Sequence, residues 1–152
     1  DSSYDPARKQ YSSPDLLREL AEHVPADATR VLGVTERDLF IPMLSFIFGQ
    51  AQLGGQVALV SLARLRQEFY GMEPDAGLLA ERACKEALHE LGHTFGLTHC
   101  VDRTCTMSLS TGIRQVDLKA PRFCSSCVTL LDDSMAALDR RSQGISEAEE
   151  ER

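Results

Sequence analysis

The chain has 152 residues, enough for one domain with a single sizeable core. Its formal net charge of −7, from 23 acidic and 16 basic residues, argues against a nucleic-acid or anionic-membrane partner, because both require a basic surface. No apolar run approaches the roughly 18 residues of a membrane span, and no signal-peptide pattern is present, so we expect a cytoplasmic monomer.

The first half of the chain predicts a helix followed by a small sheet. Residues 14–24 begin with a proline that suits a first helical turn, and their leucines form one apolar stripe. Three runs rich in β-branched or aromatic residues follow, at 29–35, 44–50 and 56–62. The proline-containing segment 38–42 is predicted as an edge segment.

The second half is predicted to be mainly helical. The longest helical pattern runs from Asp75 to Gly96, residues 97–124 are irregular in composition, and 125–141 are helical again. The residues from 142 to 152 form an acidic tail. Together, these elements predict one mixed α/β domain over residues 1–141, followed by the acidic tail.

The segment HELGHTFGLTH, which begins in the longest helix and extends beyond it, has the spacing of a metal site. His89 and His93 are four residues apart, so on a helix their side chains stand about 40° apart and one turn along the axis. Glu90 can reach a water on the same metal, where a carboxylate serves as general base. Taken alone, these five residues are also compatible with a surface helix that carries two unrelated histidines.

A third histidine favours the metal site. His99 can approach the same metal only if the helix ends and the chain turns back, and Gly96 stands where that must happen. Three protein ligands leave a fourth position open for water, which is typical of catalytic rather than structural zinc.

The cysteines form a second constellation. The spacings C-x4-C and C-x2-C resemble a structural zinc site formed by Cys100, Cys105, Cys124 and Cys127. Two disulfides are the alternative, which an intracellular setting disfavours, and free buried thiols are a third possibility. The fifth cysteine, Cys84, lies about 140° around the helix from His89 and is interpreted as a buried core thiol.

HELGHTFGLTH followed by CVDRTCTM resembles the zinc motif and methionine turn of the metzincin metallopeptidases. The added CVDRTC and CSSC pairs resemble the archaemetzincins, as do YDPARKQY, FIFGQA and SLARLRQEFYG upstream. This resemblance implies a metzincin-like three-layer α/β/α sandwich. It would contain a small mixed sheet, a long active-site helix and a C-terminal loop region held by zinc, with an edge strand at or near FIFGQA open to an extended peptide.

The resemblance also implies the function. His89, His93 and His99 would bind a catalytic zinc, Glu90 would be the general base and Met107 the base of the metal site. The four paired cysteines would bind a second, structural zinc, which makes two zinc ions per chain. We therefore predict a zinc metallopeptidase that acts on peptide or protein substrates. The alternative is a zinc-stabilised interaction module with a closed or inactive peptidase site.

Overall fold

The computed structural model describes the backbone of residues 2–150 and the side chains of residues 2–141. Within these residues the strands are β1 (Tyr4–Asp5), β2 (Gln10–Ser12), β3 (Val31–Thr35), β4 (Leu39–Phe40), β5 (Gly49–Ala51) and β6 (Val57–Ser61). The helices are α1 (Ser13–Glu22), α2 (Ala76–Thr94), α3 (Ile113–Leu118) and α4 (Ser125–Glu150). The fold is mixed α/β, as predicted. No helix of the described part is long and apolar enough to cross a membrane.

Two three-stranded sheets make up the β structure. The main sheet has the order β3-β6-β5, with β3 parallel and β5 antiparallel to the central strand. The smaller sheet has the order β1-β2-β4. A single antiparallel bridge between Leu39 and Ile47 connects the small sheet to the segment that precedes β5. One edge strand of the main sheet, β5, lies within FIFGQA, as predicted.

The two faces of the main sheet are covered by different helices. Every residue of β6 is buried, and its side chains alternate between the two faces. Leu59 belongs to an apolar cluster with Leu17 of α1, whereas Val60 belongs to a second cluster against which Leu79 and Ala83 of α2 pack. The strand is thus enclosed between α1 and α2.

Helix α2 begins and ends close to the predicted residues because its caps are encoded locally. The carboxylate of Asp75 accepts a hydrogen bond from the backbone N–H of Leu78 at 2.8 Å, which caps the first turn. At the other end, Gly96 takes a left-handed conformation with φ of 87°, and the N–H of Leu97 donates to the carbonyl of Gly92 at 3.1 Å. Gly96 therefore ends the helix as the sequence predicts.

Several segments differ from their prediction. Of the run 44–50, only the last two residues enter a strand, because the residues before Gly49 form only an isolated bridge, between Ile47 and Leu39, instead of a continuous ladder. Strands β1 and β2 and helix α3 were not predicted. Helix α4 continues past residue 141 to Glu150, and the side chains of the predicted acidic tail, 142–152, lie outside the described residues.

Cys84 is exposed, so its interpretation as a buried core thiol is wrong. It does lie about 140° around α2 from His89, as predicted, but at a solvent-exposed position of the helix. The most deeply buried side chains of α2 are mainly polar, and they include Lys85, Glu86, His89 and Glu90. The apolar pattern of the helix therefore did not reveal its buried face.

Candidate active site

The two helical histidines point their Nε2 atoms at one another. The Nδ1–H of His89 donates to the carbonyl of Thr106 at 2.8 Å, and that of His93 donates to the carbonyl of Leu97 at 2.7 Å. These bonds place the proton on Nδ1 and leave a lone pair on each Nε2. The Nε2 atoms are 3.1 Å apart. Two lone pairs so close together repel each other unless a cation lies between them.

The third histidine completes the cluster from the loop beyond α2. Ligand nitrogens of His89, His93 and His99 all lie within 4.8 Å of one another. Tetrahedral zinc with Zn–N bonds of about 2.0–2.1 Å separates its nitrogen ligands by about 3.3 Å, close to the separation of the two helical Nε2 atoms. His99 is exposed, so one side of the cluster is open to solvent. The donor set and its geometry fit a catalytic zinc.

Glu90 lies between α2 and the edge strand. The residue is 5% exposed, and its carboxyl group makes no hydrogen bond with any of residues 2–141. A Cβ atom placed on Gly49 of β5 would stand 2.7 Å from Glu90 Oε1 and 2.7 Å from the carbonyl oxygen of Leu59. Only glycine at position 49 therefore allows the edge strand to approach this carboxylate so closely.

A buried ion pair lies beside the histidines. Lys119 Nζ is 3.0 Å from Glu86 Oε1, and the exposures of the two residues are 3% and 2%. The same ammonium is 3.4 Å from Nδ1 of His89. The burial of Lys119 keeps its charge away from the protein surface.

Burial dominates the electrostatics of this site. Desolvation, reinforced by the charge of Lys119, lowers the pKa of His89 to about 3. Burial also lowers the pKa of His93 and His99. Burial raises the pKa of Glu90 well above its usual range, and the negative charge of Glu86 raises it further, whereas the positive charge of Lys119 lowers it. The three imidazoles are therefore neutral near pH 7, the form that binds metal.

Met107 packs against α2 at Gly92, between the two helical histidines in the sequence. It is fully buried, and a Cβ atom on Gly92 would overlap its Sδ atom. Its carbonyl accepts a hydrogen bond from the N–H of Cys100 at 2.9 Å. The preceding residue, Thr106, supplies the carbonyl that orients His89. The turn at Thr106 and Met107 thus contacts the histidine-bearing part of α2 in two ways: through the Met107 side chain and through the Thr106 carbonyl.

The four predicted cysteines also converge. The sulfurs of Cys100, Cys105, Cys124 and Cys127 all lie within 4.8 Å of one another, and those of Cys100 and Cys124 are 3.7 Å apart. Four thiolates around zinc at about 2.3 Å would stand about 3.8 Å apart. None of the cysteines in the described residues forms a disulfide. This arrangement fits a four-thiolate metal site better than two disulfides.

The thiols differ in acidity. Cys124 directly precedes α4, and the N–H of Cys127 donates to its sulfur, which lowers the pKa of Cys124 to about 7. Burial raises the pKa of Cys100 and of Cys127. Cys124 therefore forms a thiolate more readily than Cys100 or Cys127.

A cleft of about 580 Å³ runs past these groups. The three histidines, Glu86 and Glu90 line one side, and the segment from Leu44 to Ala51 lines another. Leu109, Ser110 and Thr111, which follow the Met107 turn, contribute a third wall. The cleft thus combines one polar side that can bind metal with other walls that contain many apolar residues.

The model of peptidase family M54 matches residues 4–133 of the chain. The chain belongs to this family. The archaemetzincin of Methanocaldococcus jannaschii is 47% identical to it over 131 residues, covering 86% of this M54 chain and 71% of the relative. The archaemetzincin of Methanopyrus kandleri is 46% identical over 133 residues, which cover 88% of this chain and 72% of the relative. These matches confirm the resemblance noted in the sequence.

Solved structures of M54 relatives share the fold. A crystal structure of archaemetzincin from Methanopyrus kandleri superposes with a TM-score of 0.81 at 45% identity, over 89% of this chain and 71% of that one. The structure of a zinc-dependent peptidase from Methanocorpusculum labreanum superposes with a TM-score of 0.80 at 35% identity. The match covers 85% of this chain and 78% of that one. The mixed α/β architecture of this M54 chain therefore matches that of known archaemetzincins.

Sequence reasoning missed four contributors to the site: Gly49, Glu86, Thr106 and Lys119. The spacing of Glu86, four residues before Glu90, is a signal that could have placed it on the same face of α2. The other three reach the site only through the packing of segments distant in the sequence, and no local pattern marks them.

Proposed function

We propose that this protein is a zinc-dependent metallopeptidase of the metzincin type, which hydrolyses peptide bonds of peptide or protein substrates. The observation that carries the proposal is the convergence of three neutral imidazoles beside Glu90 in an open cleft. His89, His93 and His99 would hold the catalytic zinc, with Met107 beneath them. Bound there, zinc would lower the pKa of a water and polarise the substrate carbonyl.

Glu90 would act as the general base and then as the general acid. Its carboxylate lines the cleft and has no partner among residues 2–141, so it is free to accept a proton from the attacking water. The same carboxyl group would then deliver that proton to the leaving amine. Its buried position against Gly49 would keep it aimed at the cleft.

Strand β5 would align the substrate backbone. The N–H of Ser61 donates to the carbonyl of Phe48, and the N–H of Gln52 donates to that of Val57. In an antiparallel ladder alternate residues face the partner strand, so the backbone groups of Gly49 and Ala51 point away from β6. An extended peptide would add to this free edge, which supports hydrolysis of a peptide rather than of a compact small molecule.

A second zinc would be held by Cys100, Cys105, Cys124 and Cys127, giving two zinc ions per chain. This structural metal would fix the loop between His99 and the Met107 turn, because Cys100 follows that histidine directly. A catalytic metal requires ligands held to a fraction of an ångström, so the two sites would cooperate.

Further features belong to the same proposal. Enclosure of the main sheet between α1 and α2 supports a three-layer α/β/α sandwich of metzincin type, with residues 1–141 as the catalytic domain. The cluster of unpaired thiols supports a cytoplasmic location. A monomer stays a prediction.

An interaction module with a closed peptidase site is the less favoured alternative. The cleft is open, and Glu90 is retained beside the histidines, where a scaffold would have no use for a buried carboxylate.

Cleavage of a diverse peptide library, read by mass spectrometry, tests the proposal. The zinc-loaded wild type is compared with Glu90→Gln and with Glu68→Gln, an exposed control that does not line the cleft. We expect cuts from the wild type and the control, and a loss of at least about 100-fold in Glu90→Gln with zinc content and folding unchanged. Hydrolysis by Glu90→Gln at the wild-type rate would refute the assigned mechanism.

A further inference from the structure

The buried pair of Glu86 and Lys119 has no task in the mechanism proposed above. Both side chains are almost completely removed from water, with 3% and 0% exposure. Burying two charges costs several kcal/mol for each, and a well-packed apolar pair is often as stable. A pair of this kind on the wall of a substrate cleft therefore points to recognition.

Only one oxygen of Glu86 is engaged by the protein. Oε1 accepts from Lys119 Nζ at 3.0 Å, whereas Oε2 makes no hydrogen bond with any of residues 2–141. Glu86 lines the cleft, and Lys119 does not. Because Glu86 lies four residues before Glu90, it occupies the same face of α2, about 6 Å along the axis. A substrate bound at Glu90 would thus meet a carboxylate one turn away.

A second polar residue lines the cleft. Ser110 lines the cleft, and its buried hydroxyl has no hydrogen-bond partner within the described residues. Ile113, three residues on, packs against the apolar cluster that contains Phe48, as does Ala83 of α2. The segment 110–113 and the turn of α2 that precedes Glu86 therefore pack on the same apolar cluster.

Apolar side chains line the cleft as well. Phe46 and Phe48 line the cleft with their rings 5.3 Å apart, and Leu109 lines it from the segment after the Met107 turn. We refer to Glu86, Ser110, Phe46, Phe48 and Leu109 as the Glu86 pocket. It has apolar sides, one fixed acceptor and one hydroxyl that can donate or accept.

We propose that the Glu86 pocket selects a substrate side chain that ends in a neutral amide, as in glutamine or asparagine. The amide N–H would donate to Glu86 Oε2, and the amide oxygen would accept from the Ser110 hydroxyl. The methylene groups would contact the phenylalanine rings. This inference rests on the proposed peptidase function and specifies its substrate class.

The competing side chains fit less well. An apolar side chain would leave the Glu86 oxygen and the Ser110 hydroxyl dry and unpaired, which is how sites built for a hydrogen bond reject analogues that lack it. A lysine or arginine would bring a second cation to a carboxylate that Lys119 already neutralises, next to the zinc site. An acidic side chain would face Glu86 directly.

The test uses peptides that differ at one position near the cleaved bond, with glutamine, norleucine or lysine at each of the three residues on either side. For the wild type we expect glutamine at one position to exceed norleucine and lysine by at least about 10-fold in kcat/KM. Ser110→Ala should reduce that preference several-fold. The double variant Glu86→Leu/Lys119→Met, which removes both buried charges together, should reverse it in favour of norleucine. Glu68→Gln should keep the wild-type profile.

Binding provides a readout that does not depend on turnover. The same peptides are titrated into the Glu90→Gln protein, and the glutamine peptide should bind at least about 10-fold more tightly than its norleucine counterpart. A wild type that cuts with an apolar or basic preference at every position would overturn the inference while leaving the peptidase intact. Equal binding of all three peptides would overturn it as well. Absence of cleavage by the wild type, with the binding preference present, would instead refute the peptidase.

Discussion

Substitution of Gly49 by alanine tests the close approach of the edge strand to the general base. The added Cβ atom would stand 2.7 Å from Cγ and Oε1 of Glu90 and 2.7 Å from the carbonyl oxygen of Leu59. Non-bonded carbon atoms settle at about 3.5–4.0 Å. The added Cβ atom must therefore move about 1 Å further from Glu90 and about 1 Å further from the Leu59 carbonyl. The Leu59 carbonyl belongs to β6 and cannot move without disturbing the ladder. Most of the displacement must therefore come from β5 and the Glu90 side chain.

The consequences can be estimated from this displacement. Overpacking of a well-packed interior costs about 1–3 kcal/mol, and we expect the free energy of unfolding of Gly49→Ala to fall by that amount. A misplacement of about 1 Å at a catalytic group can reduce the rate about 100-fold, so kcat should fall by a similar factor. Urea denaturation and peptide hydrolysis measure the two effects, and zinc content should stay unchanged.

Gly77→Ala is the matched control. Gly77 lies in the first turn of α2, where an added Cβ atom would meet only the Asp75 carboxylate, at an ordinary 3.4 Å. The same chemical change should there stabilise the protein by up to about 1 kcal/mol, since alanine is the better helix former. Its activity should match that of the wild type. Wild-type kcat for Gly49→Ala would refute the argument that this glycine sets the position of Glu90.

Three further outcomes follow from the buried groups. Cys124→Ser should lower the zinc content from two ions to one per chain, measured by elemental analysis of the purified protein; retention of both ions would contradict the four-cysteine site. Lys119→Met leaves Glu86 buried without a counter-charge, so it should reduce the free energy of unfolding by about 3–5 kcal/mol, and a second change, Glu86→Gln, should restore much of it. In metal-free protein, the pKa of His89 is about 3 when folded and 6.5 when unfolded. The unfolded state therefore binds the proton first, and stability relative to His89→Gln should fall by up to ~1.4 kcal/mol per pH unit below about 6.5. The raised pKa of Glu90 acts in the opposite direction, but it is common to both proteins; equal pH slopes in urea denaturation would show that the imidazole is not desolvated.

The sequence predicted those parts of the structure that are determined by residues close together in the chain. The spacing of His89 and His93 needs only the period of a helix, and the return of the chain to His99 needs only a glycine at position 96. Strand β6 and helices α1 and α2 were identified because each carries a long enough pattern. Strands β1 and β2 span two and three residues, and such strands are stable only through their neighbours, so no local pattern could mark them.

Tertiary structure alone decided what surrounds the metal-capable groups. Lys119 reaches Glu86, Thr106 orients His89, and Gly49 lies against Glu90, although each pair is separated by 17 to 41 residues in the chain. Periodicity shows which side chains share a face of α2, but it does not show what will cover that face. For this reason the candidate ligands could be named from the sequence, whereas the charged wall of the cleft and its free strand edge required the packing of distant segments.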